Sequence, residues 1–483
     1  MNEYETVIGL EVHVELATKT KIFCGCPTAF GARPNVHTCP VCTGMPGALP
    51  VLNKKAVEYA AAVGIAAGCE ITEYSKFDRK NYFYPDNPQN YQISQLYMPL
   101  CRNGSIKIET EEGEKTVGIH EIHMEEDAGK LIHDLYDDVS LVDYNRSGVP
   151  LIEIVSEPDM RSAKEVTAYL DKLRTIIQYL GASDCKLQEG SMRADVNLSV
   201  RRKGTAQLGT RTEMKNLNSF KAITRAIENE AKRQIGLLES GGTVVQETRR
   251  WDDAKGCSYV MRSKEDAQDY RYFPEPDLVP VVMSREWLEQ IRERQPELRD
   301  EKRKRYKEQY GLPDYDADII TGSKKLADLF EAAADLCKKP KKVSNWLMGE
   351  TMRLLKESGK EPEEIIFTPE NLAKIVDLAD SGEVTNTVAK EVFAEVFDHN
   401  ADPVRYVQDK GLKSVNDEDR LRSVIAQVIA GHPKSVEDFH NGRHKAVGFL
   451  VGQTMKAMEG KANPVMVNQI LKEMLSYSCS AHK

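Results

Sequence analysis

Apolar and polar residues alternate along the opening segment. Ile8, Leu10, Val12, Val14 and Leu16 fall on one face, and Glu11, His13 and Glu15 on the other. A period of two predicts a β-strand with one buried face. The segment SMRADVNLSVR repeats the pattern, setting Met192, Ala194, Val196, Leu198 and Val200 against Arg193, Asp195, Asn197, Ser199 and Arg201. After Ser162 the period becomes helical: Val166, Tyr169, Leu170, Leu173, Ile176, Ile177 and Leu180 recur before a stop at Gly181, and Ser162 and Glu165 have capping-box spacing. A second helix is predicted from about Ser219 to Glu239, with its stop at Gly241-Gly242. Strands interrupted by helices, with one sheet face covered and the other wet, predict an α+β domain with a mainly antiparallel sheet.

After Ser284 the pattern is almost entirely helical. The charge-dense segment Trp287 to Tyr310 interleaves acids with bases, which predicts a solvated helix face rather than a basic RNA-binding helix. Asp402-Pro403 marks a second break, because a residue before proline is pushed out of the helical region. At 483 residues the chain is long enough for roughly three domains, and the breaks give 1–290, 291–402 and 403–483. Mean hydropathy is −0.49, and Tyr59 to Cys69, the longest small-apolar stretch, is far short of the ~20 residues of a membrane span. The acidic, alternating N-terminus lacks the features of a signal peptide, so a cytoplasmic location without membrane attachment is expected. Cys69, Cys101, Cys185, Cys257, Cys337 and Cys479 are scattered, as suits reduced thiols.

The remaining four cysteines carry a definite signal. Cys24-Gly-Cys26 and Cys39-Pro-Val-Cys42 are two close thiol pairs that predict a closed tetrahedral Zn²⁺ shell with no open position, hence a structural site. His37 is an alternative ligand that a full quartet makes unnecessary. Acidic clusters suggest a second metal. Glu11, His13 and Glu15 share a strand face, HEIHMEED (His120–Asp127) packs two histidines with four carboxylates, and Glu153 sits inside an apolar strand where an unpaired charge is costly. Carboxylates, one imidazole and water suit Mg²⁺ beside substrate phosphates, although an ordinary polar strand face reads the same way at this point. Alternation puts Glu125 and Glu126 on opposite faces, so only one of them is expected as a direct ligand. In FDRKNYFYPDNPQNYQISQ, Arg79 and Lys80 could contact phosphate, while Tyr82, Phe83, Tyr84 and Tyr91 offer stacking faces or simply anchor a loop. DYRYFPEPDLVP (Asp269–Pro280) is a stiff loop of undecided role. No Walker-type phosphate loop, kinase glycine loop or G-x-S-x-G is present, so any ATP chemistry must use another geometry.

Together IGLEVHVEL, FDRKNYFYPDNPQNYQISQ, HMEEDAGK, PLIEIVSEPD, KNLNSF, DYRYFPEPD and KAVGFLVGQTMK resemble the GatB family, the B-type subunits of tRNA-dependent aspartyl/glutamyl amidotransferases, across almost the whole chain. The resemblance implies a large N-terminal cradle domain, a helical domain and a small helical tail domain. It implies an ATP-dependent carbon–nitrogen ligase: the side-chain carboxylate of Glu-tRNA(Gln) or Asp-tRNA(Asn) is phosphorylated, then amidated with ammonia. The ammonia comes from an A-type amidase partner, in a heterotrimer whose third member is a small C-type subunit. The resemblance assigns His13, Glu126 and Glu153 as Mg²⁺ ligands with Glu11 and Glu125 nearby. Arg79 and Lys80 are assigned to phosphate or the acceptor end, and Lys445 and Lys456 to the outer tRNA body. No glutaminase signature is visible in this chain, in keeping with an external ammonia source. Two other classes remain open from sequence: a non-catalytic tRNA-binding scaffold and a ligase for free amino acids.

Net charge is −9, which argues at first against a nucleic-acid partner. The acidity lies outside the tail, since residues 400–483 carry 12 Lys+Arg against 9 Asp+Glu. Local basic patches are therefore expected to make any RNA contact.

Overall fold

The computed structural model describes residues 3–133, 139–263, 269–413, 418–441, 443, 445–458 and 462–478. Cys479 and the end of the SYSCSAHK extension lie outside them. The chain forms two compact units, Met1–Leu298 and Arg299–Lys483.

A nine-stranded sheet dominates the first unit. Its spatial order is Cys257–Ser263, Glu247–Asp252, Thr212–Lys215, Met192–Arg202, Tyr4–Glu15, Pro150–Ser156, Gly113–Glu126, Cys101–Thr110 and Glu70–Ile71. Every neighbouring pair is antiparallel except Thr212–Lys215 with Glu247–Asp252. The mainly antiparallel α+β reading thus holds, and the opening strand is central. Ile8, Leu10, Val12 and Val14 are sealed in one core with residues of the helices Lys54–Ala66, Ala163–Tyr179 and Phe220–Glu239. The polar face is half-buried rather than wet along Glu11, His13 and Glu15.

Both predicted helices form. Ser162 caps the first by accepting from the Glu165 N–H, but the Glu165 carboxylate accepts from the Arg161 N–H and from Lys115, so only half of the expected capping box is made. Gly181 follows at φ +65°, a left-handed stop that glycine adopts without a Cβ clash. Among the described residues no helix is long and apolar enough to cross a membrane.

Two helices, Arg285–Glu293 and Arg299–Gln309, replace the single charged helix expected over 287–310, since Pro296 interrupts it. The first places Leu288 and Ile291 in the core of the first unit, so packing of that unit runs past residue 290. The second is not uniformly solvated, because Lys302 and Tyr306 are buried. Asp402 does cap a helix, Pro403–Asp409, but that helix packs against Pro369–Asp380 and Asn386–His399. A separate apolar cluster gathers only from Leu421 to Leu475.

In the second unit Glu331 collects Lys302 (2.8 Å), Arg305 and the Tyr306 hydroxyl (3.0 Å). Burial opposes the Glu331 charge, yet its hydrogen bonds from Lys302 and Arg305 hold the carboxyl below the usual range. A lowered folded pKa contributes stability above the ordinary glutamate range and loses it as pH falls. Glu331→Gln is expected to cost roughly 1–2 kcal/mol at neutral pH, partial exposure keeping it below the figure for a sealed charge pair. The deficit should shrink in acid, as urea unfolding at neutral and acid pH would show.

Candidate active site

Antiparallel register builds a row of four side chains across four strands. Arg193 lies opposite His13, His13 opposite Glu153, and Glu153 opposite His123. Directly opposed residues on one sheet face stand within side-chain reach. The Glu153 carboxylate therefore sits between two imidazoles, 3.4 Å from His13 Nε2 and 3.1 Å from His123 Nε2. Burial opposes the charge on Glu153, but hydrogen bonds from both histidines hold its carboxyl well below the usual range. Burial likewise disfavours the imidazolium of His13, and Glu153 and Glu125 outweigh it, raising the group. His123 is pushed up to about 10 against burial by Glu121, Glu153 and Glu125. The histidines and the carboxylates thus favour one another's charged forms.

Glu125, not Glu126, joins this group. Its carboxylate lies 3.8 Å from His13 and 3.8 Å from His123. The candidate ligand atoms of His13, Glu125 and Glu153 all lie within 4.8 Å of one another. Period two is the reason: residues 121, 123 and 125 share the polar face, and Glu126 points the other way. There Glu126 accepts from the Ile93 N–H (3.0 Å) and the Gln89 amide (3.2 Å), and burial pushes it up to about 8. It lines a cavity of about 250 Å³ with Lys21, Cys24, Cys42, Tyr91 and Asp277. The trio expected to include Glu126 is therefore brought together with Glu125 in its place. Adjacent Mg²⁺ ligands at about 2.1 Å stand about 3 Å apart, so a small inward movement of the 3.4–3.8 Å contacts would fit a hard cation.

A second acidic group, Glu11, Asp195 and Glu213, lies along the same face. Glu213 gave no signal in the sequence, whereas Asp195 was visible as a polar-face residue. Lys215 already pairs with Asp195 and with Glu213 (2.7 Å), so this group contains its own cation. Burial and Glu153 raise the Glu11 carboxyl, and Asn197 donates to it at 3.0 Å.

Arg79 and Lys80 part company for the same reason of alternation. The strand Asp78–Asn81 lies between Tyr91–Ser94 and Phe273–Pro274. Arg79 grips Glu275 (2.6 and 3.0 Å) and Asp277 (3.0 Å) and lies over the Tyr91 ring at 4.1 Å. It clamps the DYRYFPEPDLVP loop, giving that segment a role the sequence left undecided. Against burial, Glu125, Tyr272 and Glu153 keep Lys80 firmly charged, so this lysine is the one that addresses the row. Phe83 and Tyr84 are exposed beside it in the chain.

The four cysteine sulfurs converge within 4.8 Å, with Cys39 and Cys42 3.9 Å apart. Thiolates at 2.3 Å around a tetrahedral Zn²⁺ stand about 3.8 Å apart, so the quartet fits zinc without His37. A hydrogen bond from Cys24 first, then Cys39 N–H and Lys21, push the Cys42 thiol down to about 4 against its burial. Lys21, which sequence reasoning missed, is wholly buried and donates to Cys42 Sγ (3.4 Å) and the Tyr144 carbonyl (3.1 Å). Lys445 and Lys456 are exposed at the two ends of the helix Lys445–Ala457; eleven residues apart, they share a side of it.

Residues 6–289 match the family model of the GatB/GatE catalytic domain, and residues 328–475 that of the GatB domain. The B subunit of the aspartyl/glutamyl-tRNA(Asn/Gln) amidotransferase of Agathobacter rectalis is 70% identical over 475 residues, covering 98% of this chain and 100% of the relative. Proteins of the same description from Lachnospira eligens and Lachnoclostridium phytofermentans are 67% and 65% identical, covering 98% and 99% of this chain and the whole of each relative.

Proposed function

Because the chain belongs to the GatB family of aspartyl/glutamyl-tRNA(Asn/Gln) amidotransferase B subunits, we propose that it activates the side-chain carboxylate of Glu-tRNA(Gln) or Asp-tRNA(Asn) with ATP for amidation. The row Arg193–His13–Glu153–His123, with Glu125 beside it, is the observation that carries this reading. A carboxylate is a poor electrophile, since its leaving group would be an oxide. Phosphorylation makes the departing group phosphate, after which ammonia can displace it.

His13, Glu125 and Glu153 would hold Mg²⁺, which when bound neutralises phosphate charge and aligns the reacting oxygens. Metal binding requires His13 to give up its proton, and His123 remains to hold Glu153 by its second edge. Lys80 balances the carboxylates and is placed to meet a phosphate that approaches them. Phe83 and Tyr84 offer rings on which the unpaired acceptor end can stack, and Lys445 and Lys456 offer charges to the tRNA body. Arg79 supports the site by fixing the loop that faces Lys80. The cysteine quartet would hold zinc with a closed shell and take no part in the reaction.

The same reading includes a glutamine-hydrolysing A-type amidase and a small C-type subunit as partners, a cytoplasmic place of action, and a division into cradle, helical and tail domains. The reconstituted heterotrimer, given misacylated tRNA, ATP, Mg²⁺ and glutamine, is expected to form Gln-tRNA(Gln) or Asn-tRNA(Asn). Failure with both misacylated tRNAs would overturn the proposal.

A further inference from the structure

Arg193 closes one end of the row, directly opposite His13. Its side chain is 34% exposed, and one amino group donates to Asp127 at 2.9 Å. Asp127 is itself anchored from several sides. Arg146 approaches the same oxygen at 3.5 Å, the other oxygen accepts from the Ala128 N–H at 2.9 Å, and the Glu15 carboxyl lies beside it. Among the described residues Arg193 donates to no other acceptor, although a guanidinium carries five N–H donors in a rigid fork.

That arrangement is costly as a purely structural pair. A fixed cation beside His13 repels any metal ion that His13, Glu125 and Glu153 would bind. The repulsion turns into attraction only when an anion lies between them, and phosphate oxygens match the planar fork of arginine. Lys80, balanced by Glu125 and Glu153, supplies a second cation to the same row. The two cations and the ligand trio together describe a site for a multiply charged anion.

We propose that Arg193 is a catalytic residue that donates hydrogen bonds to the phosphoryl group in transit from ATP to the side-chain carboxylate, with Asp127 as its positioning residue. The inference rests on the reading above. In the step, the bond between the γ-phosphorus and the β–γ bridging oxygen breaks, and its electron pair leaves with ADP. A carboxylate oxygen forms the new bond to phosphorus, and the equatorial oxygens bear the charge that Arg193 meets. Ammonia then attacks the carbonyl carbon, inorganic phosphate departs with the former carboxylate oxygen, and the ammonium nitrogen loses a proton to give the amide.

The test compares wild type, Arg193→Ala, Arg193→Lys and Asp127→Asn in the complete heterotrimer, measuring tRNA-dependent ADP release and acyl-phosphate formation in the absence of glutamine. Arg193→Ala is expected to lose roughly 100- to 1,000-fold in kcat with KM for the misacylated tRNA changed by less than about threefold. Added guanidinium at millimolar levels should restore at least about tenfold to Arg193→Ala and nothing to Asp127→Asn, whereas Arg193→Lys should remain impaired because a point charge cannot replace a fork. Retention of activity by Arg193→Ala within threefold of wild type would overturn the inference, as would a loss that guanidinium leaves unchanged. If wild type itself releases no ADP in response to misacylated tRNA, the functional reading fails and the role of Arg193 falls with it.

Discussion

In the proposed heterotrimer, Glu153→Gln is expected to lower tRNA-dependent ATP cleavage roughly 100- to 1,000-fold while leaving the glutaminase activity of the proposed amidase partner untouched. Glutamine preserves the shape of the side chain and removes its charge. Three effects then act together. The ligand trio loses one anion, and His13 and His123 lose the shared carboxylate that fixes both rings at 3.4 and 3.1 Å. The demand for two imidazolium charges also falls, so each histidine titrates nearer its ordinary range. Because strand pairing is made by backbone groups, the sheet itself should survive, and far-ultraviolet circular dichroism should match wild type. Raising Mg²⁺ or substituting Mn²⁺ should recover part of the loss, since weakened affinity yields to mass action. Activity within threefold of wild type would show that the row is an ordinary buried charge network.

The second large effect concerns the cysteine quartet. Cys39→Ser should abolish stoichiometric zinc binding and lower the melting temperature of the protein by roughly 3 °C, as expected when a metal contribution of about 2 kcal/mol disappears from the unit Met1–Leu298. The segment from Thr18 to Leu52 has almost no regular secondary structure: Ile22 and Phe23 anchor it in the core, whereas Phe30, Met45, Leu49 and Val51 are exposed. A metal held by the quartet, as proposed, would cross-link it. Lys21→Met offers a control that keeps all four thiols: a tetrathiolate zinc site carries excess negative charge, and losing the buried ammonium should weaken zinc retention roughly 10- to 100-fold. Equal melting temperatures for zinc-loaded wild type and Cys39→Ser would dismiss a structural role.

Much of this molecule was readable from periodicity. The opening strand, SMRADVNLSVR and the helices after Ser162 and Ser219 all appear where residue spacing put them, because one buried face dictates each pattern. Periodicity says which residues share a face of one element, but not which elements meet. Glu125 and Glu126 could be separated by alternation, yet choosing between them required knowing that Gly113–Glu126 pairs with Pro150–Ser156 and so brings residue 125 toward His13. Arg79 and Lys80 pose the same problem, since Glu275 lies almost two hundred residues from its partner. Lys21 escaped notice because a lysine in a polar segment looks solvated, and nothing local reveals that it is sealed against a thiol. Which core a helix joins was not legible either: Arg285–Glu293 packs into the first core and Pro403–Asp409 against Pro369–Asp380, contacts that no local proline or serine signal reveals.

The central place of the opening strand has a cost during synthesis. Its partners are Pro150–Ser156 and Met192–Arg202, both much later in the chain, so the opening strand waits long after its own synthesis to find both neighbours. At about 5–20 residues per second, some 190 residues of further translation leave Ile8, Leu10, Val12 and Val14 without one of their strands for roughly 10–40 s. An apolar strand with two open edges is then a template for pairing with any other nascent chain nearby. The alternating acids Glu11 and Glu15, half-buried in the finished sheet, meanwhile keep that strand charged and soluble, so the polar face of the finished sheet also guards the unfinished one.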